Sequence, residues 1–219
     1  MFTQPINFLG GAGKEFPVVE STSQANTCST SLYVPLPSGC SIGDLVVLCI
    51  GSYGGASINT PAGWSSIVSY RSGNASLKCI YKTIDGAEGA GVTISSSSST
   101  HIAVNAYRIS GASEDIEYAV TGTSGNRVNP PSCNASWGVD KNLWLAVGVE
   151  YSYQISMSAP ANYSSFLQRA NVSGGIDYTR VASAIREYED SSNENPDVFG
   201  GSLSGGYSWS AATIVIKPK

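Results

Sequence analysis

Short apolar segments separated by turn-forming residues recur along the whole 219-residue chain, and this alternation constrains its fold most strongly. The separators include PSG, PAG, SGN, DGAEG, SGG and SNENP, which are typical of tight turns between strands. Sustained helical periodicity is missing, apart from residues 181–188, whose pattern fits a helix or a strand. The sequence therefore predicts an all-β protein. The predicted strands lie near residues 6–9, 31–36, 44–51, 65–70, 77–83, 92–95, 101–109, 143–151, 165–170, 180–187 and 211–216.

Two of these strands, at residues 45–50 and 143–149, are apolar throughout, which predicts that both of their faces are covered. The strand at 101–109 alternates instead and is predicted to be half-buried. Its two faces carry Ile102, Val104 and Ala106, and Asn105 and Tyr107. We expect the serine run at 95–99 to be an exposed, uncharged connection before this strand.

A weak internal repeat relates the two halves of the chain. GDLVVLCIGSY at 43–53 resembles KNLWLAVGVEY at 141–151, and TPAGWSSI at 60–67 resembles APANYSSF at 159–166, at nearly the same spacing. The repeat fits two tandem domains or two halves of one sandwich, and the lack of a linker favours the second. Doubling a Greek key produces a jelly roll of two four-stranded sheets, so we expect one jelly-roll domain over residues 1–219.

Composition excludes several classes of function. Only 13% of residues are charged, about half the usual share, and 12 basic against 16 acidic residues, with no basic cluster, argue against a nucleic-acid partner. The apolar runs are far shorter than the roughly 20 residues of a membrane-spanning helix, so no membrane partner is expected. The first residues lack the pattern of a signal peptide, and we expect the chain to fold in the cytoplasm where it is made.

The residues that usually carry chemistry form no recognisable constellation. Five cysteines are an odd number without zinc or redox spacing; Cys49 and Cys79 lie in apolar strands, and a disulfide between Cys28 and Cys40 is disfavoured in a reducing compartment. The lone His101 has no polar partners nearby in sequence, and the acidic clusters lack the spacing of a calcium loop. We therefore expect no catalytic residue, no metal site and no cofactor.

Aromatic residues are the more informative set. Trp64 and Trp144 lie in strand-like surroundings and are expected in the core. Tyr53, Tyr151 and Tyr153 border the corresponding loops of the two halves. The tyrosine ring is amphipathic, so such loops suit sugar stacking or protein contacts, although ordinary half-buried tyrosines fit the same pattern.

The first 14 residues form a possible N-terminal arm or a first strand. Their apolar side chains precede a glycine-rich stretch, as an intersubunit arm with a hinge would. The same INFLG segment also fits the first strand of the sandwich. The candidate contact residues in this segment are Phe2, Ile6, Phe8 and Leu9.

Several motifs together resemble a family of small virion proteins of tailed bacteriophages. They are INFLGGAG, LYVPLPSGCSIGDLVVLCI, TPAGWSSIVSY, LKCIYKTIDGAE, HIAVNAYRISGAS and PDVFGGSLSGGYSWSAATIVIKP. The resemblance covers nearly the whole chain. It implies a jelly-roll sandwich, used as a capsid decoration (cement) protein or as a module of a tail fibre or receptor-binding tip. It also implies assembly as a homotrimer, and it supplies no catalytic residues.

From these observations we expect a non-enzymatic decoration protein on the capsid exterior of a virion, with the major capsid protein and further copies of itself as partners. A compact chain without fibre-like sequence favours this role. The alternative is a tail-fibre or receptor-binding module that recognises host surface carbohydrate through its tyrosines. A polysaccharide hydrolase would need a pair of acids, which the sequence does not offer.

Overall fold

The computed structural model describes residues 14–151, 156–173, 176–201 and 207–219, which contain strands and no helix. Residues 181–188 therefore belong to a strand. The described strands are β1 (Val18–Pro35), β2 (Leu45–Tyr53), β3 (Ser65–Ser72), β4 (Ala75–Thr83), β5 (Gly91–Ser110), β6 (Ala112–Ser124), β7 (Cys133–Asn134), β8 (Asn142–Glu150), β9 (Ser164–Ser173), β10 (Ile176–Tyr188), β11 (Asn193–Glu194) and β12 (Ser208–Pro218).

Ten of these strands form two five-stranded antiparallel sheets, and the predicted all-β sandwich is confirmed. The first sheet has the order β1-β5-β2-β4-β3 and the second the order β6-β12-β8-β10-β9. Each sheet is built from one half of the chain, and the two orders correspond strand by strand. The jelly-roll connectivity expected from the sequence is therefore not confirmed, and the expected count of four strands per sheet is wrong.

The two sheets pack face to face around a shared core, in which β2 and β8 are the central strands. Leu45, Val47 and Cys49 of β2 point into this core together with Leu145 and Val147 of β8. The alternate residues of both strands are equally buried on the outer faces of the sheets. The prediction that both apolar runs are covered on both sides is confirmed.

Each outer face is covered by chain from its own half. On the first sheet, the β1–β5 ribbon has a register shift between Ser29 and Ser31, and beyond it Leu32 and Ile94 pack on the outer face of β2. On the second sheet, Val128 and Phe199 pack on Trp144 in the corresponding way. This extra layer explains how strands in the middle of a two-sheet sandwich are buried on both faces.

The covering layer corrects two expectations. The strand at 101–109 is not half-buried, because Asn105 and Tyr107 face the shared core and are fully buried. Both are satisfied by Ser183 across the sandwich, at 2.9 Å from Asn105 Nδ2 and 2.6 Å from the Tyr107 hydroxyl. The serine run 95–99 is part of β5 and pairs with β1 and the 57–59 segment, so it is a strand and not a connection, although all but Ser96 are exposed as expected.

Two turns adopt the geometry that their sequences predict. Gly63 has φ 77° and Asn162 has φ 64°, the left-handed conformation that glycine and asparagine tolerate best. In each turn the next aromatic residue donates its N–H to a proline carbonyl, from Trp64 to Pro61 at 3.1 Å and from Tyr163 to Pro160 at 3.2 Å. The two turns are equivalent parts of the two halves.

The contacts between the sheets are reciprocal. β1 faces β9 while β3 faces β6, and β5 faces β10 while β4 faces β12. An approximate two-fold axis along β2 and β8 would produce this pattern, since it exchanges each strand with its counterpart. The ends of corresponding strands consequently lie at the same end of the sandwich.

Candidate functional site

The structure brings Tyr53 and Tyr151 together at one end of the sandwich. Tyr53 ends β2 and Tyr151 follows β8, and their ring centroids are 5.0 Å apart. Tyr207, immediately before β12, packs edge-on against Tyr151 at 5.4 Å. We call Tyr53, Tyr151 and Tyr207 the tyrosine cluster. It closes the shared core at this end and stays partly exposed.

His101 extends this cluster on the side of the first sheet. Its ring lies edge-on to Tyr53 at 6.3 Å, and its Nδ1 is 2.5 Å from Oδ1 of Asn171 on the facing sheet. The Cys28 sulfur is 3.7 Å from the other ring nitrogen. His101 is thus a partly buried contact between the sheets, and its polar partner Asn171 is distant in sequence.

Two shallow grooves flank the loop that follows Tyr53. One, of about 330 Å³, lies between this loop, Cys28 and His101. The other, of about 290 Å³, lies on the outer face of the first sheet, and we call it the arginine groove. Its side chains include Ser52, Ser69, Arg71, Ser76 and Lys78. Both volumes are near the lower end of the range for small-molecule sites.

The cysteines are placed as structural residues. Cys49 and Cys79 are fully buried cross-strand neighbours, as expected. A hydrogen bond with Cys79 and burial raise the pKa of the Cys49 thiol well above its usual value, so it stays protonated. Cys28 and Cys40 are free thiols.

The described residues do not assemble a metal site, since no three His, Cys, Asp or Glu side chains among them lie in a suitable group. The acidic cluster of β6 is engaged otherwise. Asp115 pairs with Lys217 at 3.1 Å, and Glu117 accepts hydrogen bonds from the backbone and hydroxyl of Ser136.

The remaining predicted contact residues lie outside the described part of the chain. They are Phe2, Ile6, Phe8, Leu9 and Tyr153. The described chain starts beside the second sheet, where Lys14 pairs with Asp140 at 2.9 Å and Glu15 with Lys141 at 3.6 Å. Trp144 is fully buried as expected, while Trp64 is only partly buried against the outer-face core.

A second candidate surface is the open edge of the first sheet. β1 is 18 residues long, pairs only with β5 among the described strands, and carries a single charged residue, Glu20. Val18 and Tyr33 on this strand are 44% and 55% exposed, and Val172 on the facing β9 is 54% exposed. We call strand Val18–Pro35 the β1 edge.

Sequence reasoning missed the arginine groove and Tyr207. The groove could have been predicted from the sequence, because a hairpin turning at Gly73 and Asn74 places Arg71 beside Ser76 and Ser69 beside Lys78. Nothing local marks Tyr207, which reaches the cluster only through the pairing of β12 with β8.

In comparison with known proteins, no family model, no curated protein and no solved structure matches the chain. Among the described residues, no helix has the length and apolar character needed to cross a membrane.

Proposed function

We propose that the chain is a non-enzymatic structural protein of a bacteriophage virion, namely a decoration protein that binds the outer capsid shell and bridges coat subunits. The observation that carries this proposal is the β1 edge. The resemblance of the sequence motifs to phage virion proteins supports it independently.

A long open strand is a template for pairing with another chain, and monomeric proteins usually block it with charges, bulges or prolines. The other edge strand of corresponding position, β6, carries Glu114, Asp115 and Glu117. The β1 edge has a single charge, Glu20, so it depends on its two register shifts and the terminal Pro35 for such protection, and it exposes Val18 and Tyr33. This contrast fits a surface that is covered by a neighbouring subunit in an assembly.

The mechanism requires no chemistry. Each copy contributes a modest contact to the shell and to its neighbours, and symmetry repeats that contact many times. Linked weak contacts give a high overall avidity, so opening the shell requires many interfaces to break together. A low density of surface charge suits a protein whose surface is largely covered.

The direct test is a count of this chain in purified virions separated into heads and tails. Hundreds of copies on heads are expected. A few copies on tails, or none in either fraction, would contradict the decoration role.

A matched pair of variants tests the edge itself. Thr22→Lys places a charge on the β1 edge at an exposed position, and Thr123→Lys makes the same change on β6. We expect Thr22→Lys to weaken self-association and capsid binding at least tenfold, while Thr123→Lys has little effect. Both should melt like the parent protein, since each site is exposed. Equal binding by both variants would remove the edge from the proposal.

The tyrosine cluster favours a second candidate, a tail module that recognises host surface carbohydrate. Its rings are close together, partly exposed and amphipathic, as sugar-stacking residues are. In that case Tyr53→Ala should abolish binding to host cells or to their surface glycans. A decoration protein would bind capsids unchanged after the same substitution.

A further inference from the structure

The arginine groove has an ordered floor made of two rows of cross-strand neighbours. Ser52 of β2, Ser76 of β4 and Arg71 of β3 form the first row. Lys78 and Ser69 continue it in the second row. Because residues in register on neighbouring antiparallel strands share a face, these five side chains lie on the outer face of the first sheet.

The wall of the groove is also held in place. Its loop is tied to β5 by hydrogen bonds, including Ser97 N–H to Ser57 O at 2.9 Å, and to β4 by Ser76 Oγ to Gly54 O at 2.8 Å. The Arg71 guanidinium lies against Gly55, since a Cβ built there would be 2.6 Å from Arg71 Nη1. The groove is therefore formed before any ligand arrives.

The charged side chains of this groove are all positive. Arg71 and Lys78 line it, and none of the described carboxylates does. Lys78 donates to the Ile58 carbonyl at 2.9 Å, and Arg71 makes no ion pair or hydrogen bond with the described residues. The chain as a whole has net charge −4, and most of its described cations do have carboxylate partners, so two cations without one in a single groove stand out.

At the corresponding position of the second sheet, a glutamate of the chain itself lies beside the cation. The pairing of β8 with β10 puts Glu150 and Arg180 where β2 and β4 have Ser52 and Ser76. Glu150 is fully buried there, with its Oε1 3.4 Å from Arg180 Nε. The positions of Arg71 and Lys78 are taken by Ala170 and Ala182. One half thus neutralises its cation internally, while the other leaves cations facing an open groove.

The hydroxyls in the groove complete its chemistry. Ser52 is 1% exposed, and its Oγ is a buried polar atom without a hydrogen-bond partner in the described part of the chain. Ser57, Ser69 and Ser76 add hydroxyl groups, which both donate and accept hydrogen bonds.

We propose that the arginine groove binds an anionic sugar, with Arg71 and Lys78 on its acidic group and the serine hydroxyls on its ring hydroxyls. The volume of about 290 Å³ suits a single sugar unit rather than a long oligosaccharide. The binding site goes beyond the assembly role and does not depend on it, since it lies on the outer face of the sheet and not on the β1 edge.

Burial lowers the pKa of the Lys78 ammonium. A bound anion would favour the charged form and reverse this direction.

Isothermal titration calorimetry on the full chain tests the proposal with four probes: glucuronate, glucose 6-phosphate, glucose and inorganic phosphate. We expect at least one of the two acidic sugars to bind at least tenfold more tightly than both glucose and phosphate. A preference for glucuronate would identify a carboxylate ligand, and a preference for glucose 6-phosphate a phosphorylated one.

Variants locate the binding. Arg71→Gln and Lys78→Gln should each lower the affinity for the acidic sugar at least tenfold. Arg127 is an exposed arginine that does not line the groove, so Arg127→Gln should leave this affinity unchanged. All three should keep the melting temperature of the parent. If glucose bound as tightly as the acidic sugars, the role of the cations would be overturned. If inorganic phosphate bound as tightly as the acidic sugars, recognition of a sugar would be overturned. Absence of binding by all four probes, or unchanged binding in both groove variants, would overturn the proposal as a whole.

Discussion

The two halves of this chain share one strand order, but only one of them places a carboxylate beside its cation at the corresponding position. At the same end of both sheets, the second half buries Glu150 against Arg180, and the first half has Ser52 with Arg71 and Lys78 around an open groove. The backbone frame is shared, so the difference lies in a few side chains. Corresponding positions in two sheets of the same strand order thus carry a buried ion pair in one sheet and two cations facing an open groove in the other.

The largest expected effect comes from breaking the internal pair. Glu150→Gln removes the carboxylate that faces the buried Arg180, which should destabilise the protein by about 3–5 kcal/mol. Arg71→Gln in the first half should change stability by less than about 0.5 kcal/mol, because the side chain is exposed. Chemical denaturation measures both. Similar losses in the two variants would mean that the halves do not differ in the way described.

A second substitution gives the first half the glutamate that the second half has at the corresponding position. Ser52→Glu places a carboxylate beside Ser76 and Arg71, in the position that Glu150 occupies. We expect the affinity for an anionic sugar to fall at least tenfold, because the new carboxylate competes for the cations and repels the ligand. Ser52→Ala serves as the control for loss of the hydroxyl alone and should have the smaller effect. Titration calorimetry distinguishes the two.

The equivalent turns give a third comparison. Gly63→Ala should cost about 1 kcal/mol, because the left-handed conformation disfavours any side chain with a Cβ. Steric clash is not the reason, since the nearest atom to a Cβ there, Lys82 Nζ, is 3.7 Å away. Asn162→Gly should change the free energy of unfolding by less than about 0.5 kcal/mol. A neutral Gly63→Ala in thermal melts would show that this turn relaxes easily.

The smallest effect concerns acid stability and belongs to the first half. Burial raises the pKa of Glu88, but hydrogen bonds from Lys82 and from the backbone N–H groups of Asp85 and Gly86 outweigh it and lower the pKa to about 2. This stabilisation is present above the usual carboxyl pKa of 4.5 and is lost as the pH falls towards 2. Glu88→Gln should flatten the dependence of stability on pH in that window. An unchanged slope would assign the acid sensitivity to other groups.

Sequence patterns predicted the fold class and the doubly covered central strands. These features depend on local composition, so the turn residues and the apolar runs were sufficient evidence. The outer covering layer was not predicted, because it depends on the register shift between β1 and β5 and on packing between residues distant in sequence. For the same reason the strand that carries Asn105 and Tyr107 was wrongly expected to be half-exposed.

The candidate site was predicted in part. Tyr53 and Tyr151 were singled out from the repeat, and the structure places them in contact. The sequence did not predict the groove formed by Arg71, Lys78 and Ser52, because what distinguishes it is that none of the described carboxylates lies beside the two cations. Such an absence becomes visible only when the cross-strand register is known and the two halves are compared.

The junction between the sheets has a consequence for how the molecule holds together. β5 ends at Ser110 and β6 begins at Ala112, so Gly111 alone passes the chain from one sheet to the other, with φ 67°. The contacts between the sheets on either side of Gly111 are reciprocal. Each half therefore carries one face of a single interface, and we expect separate fragments of residues 1–110 and 112–219 to associate through it.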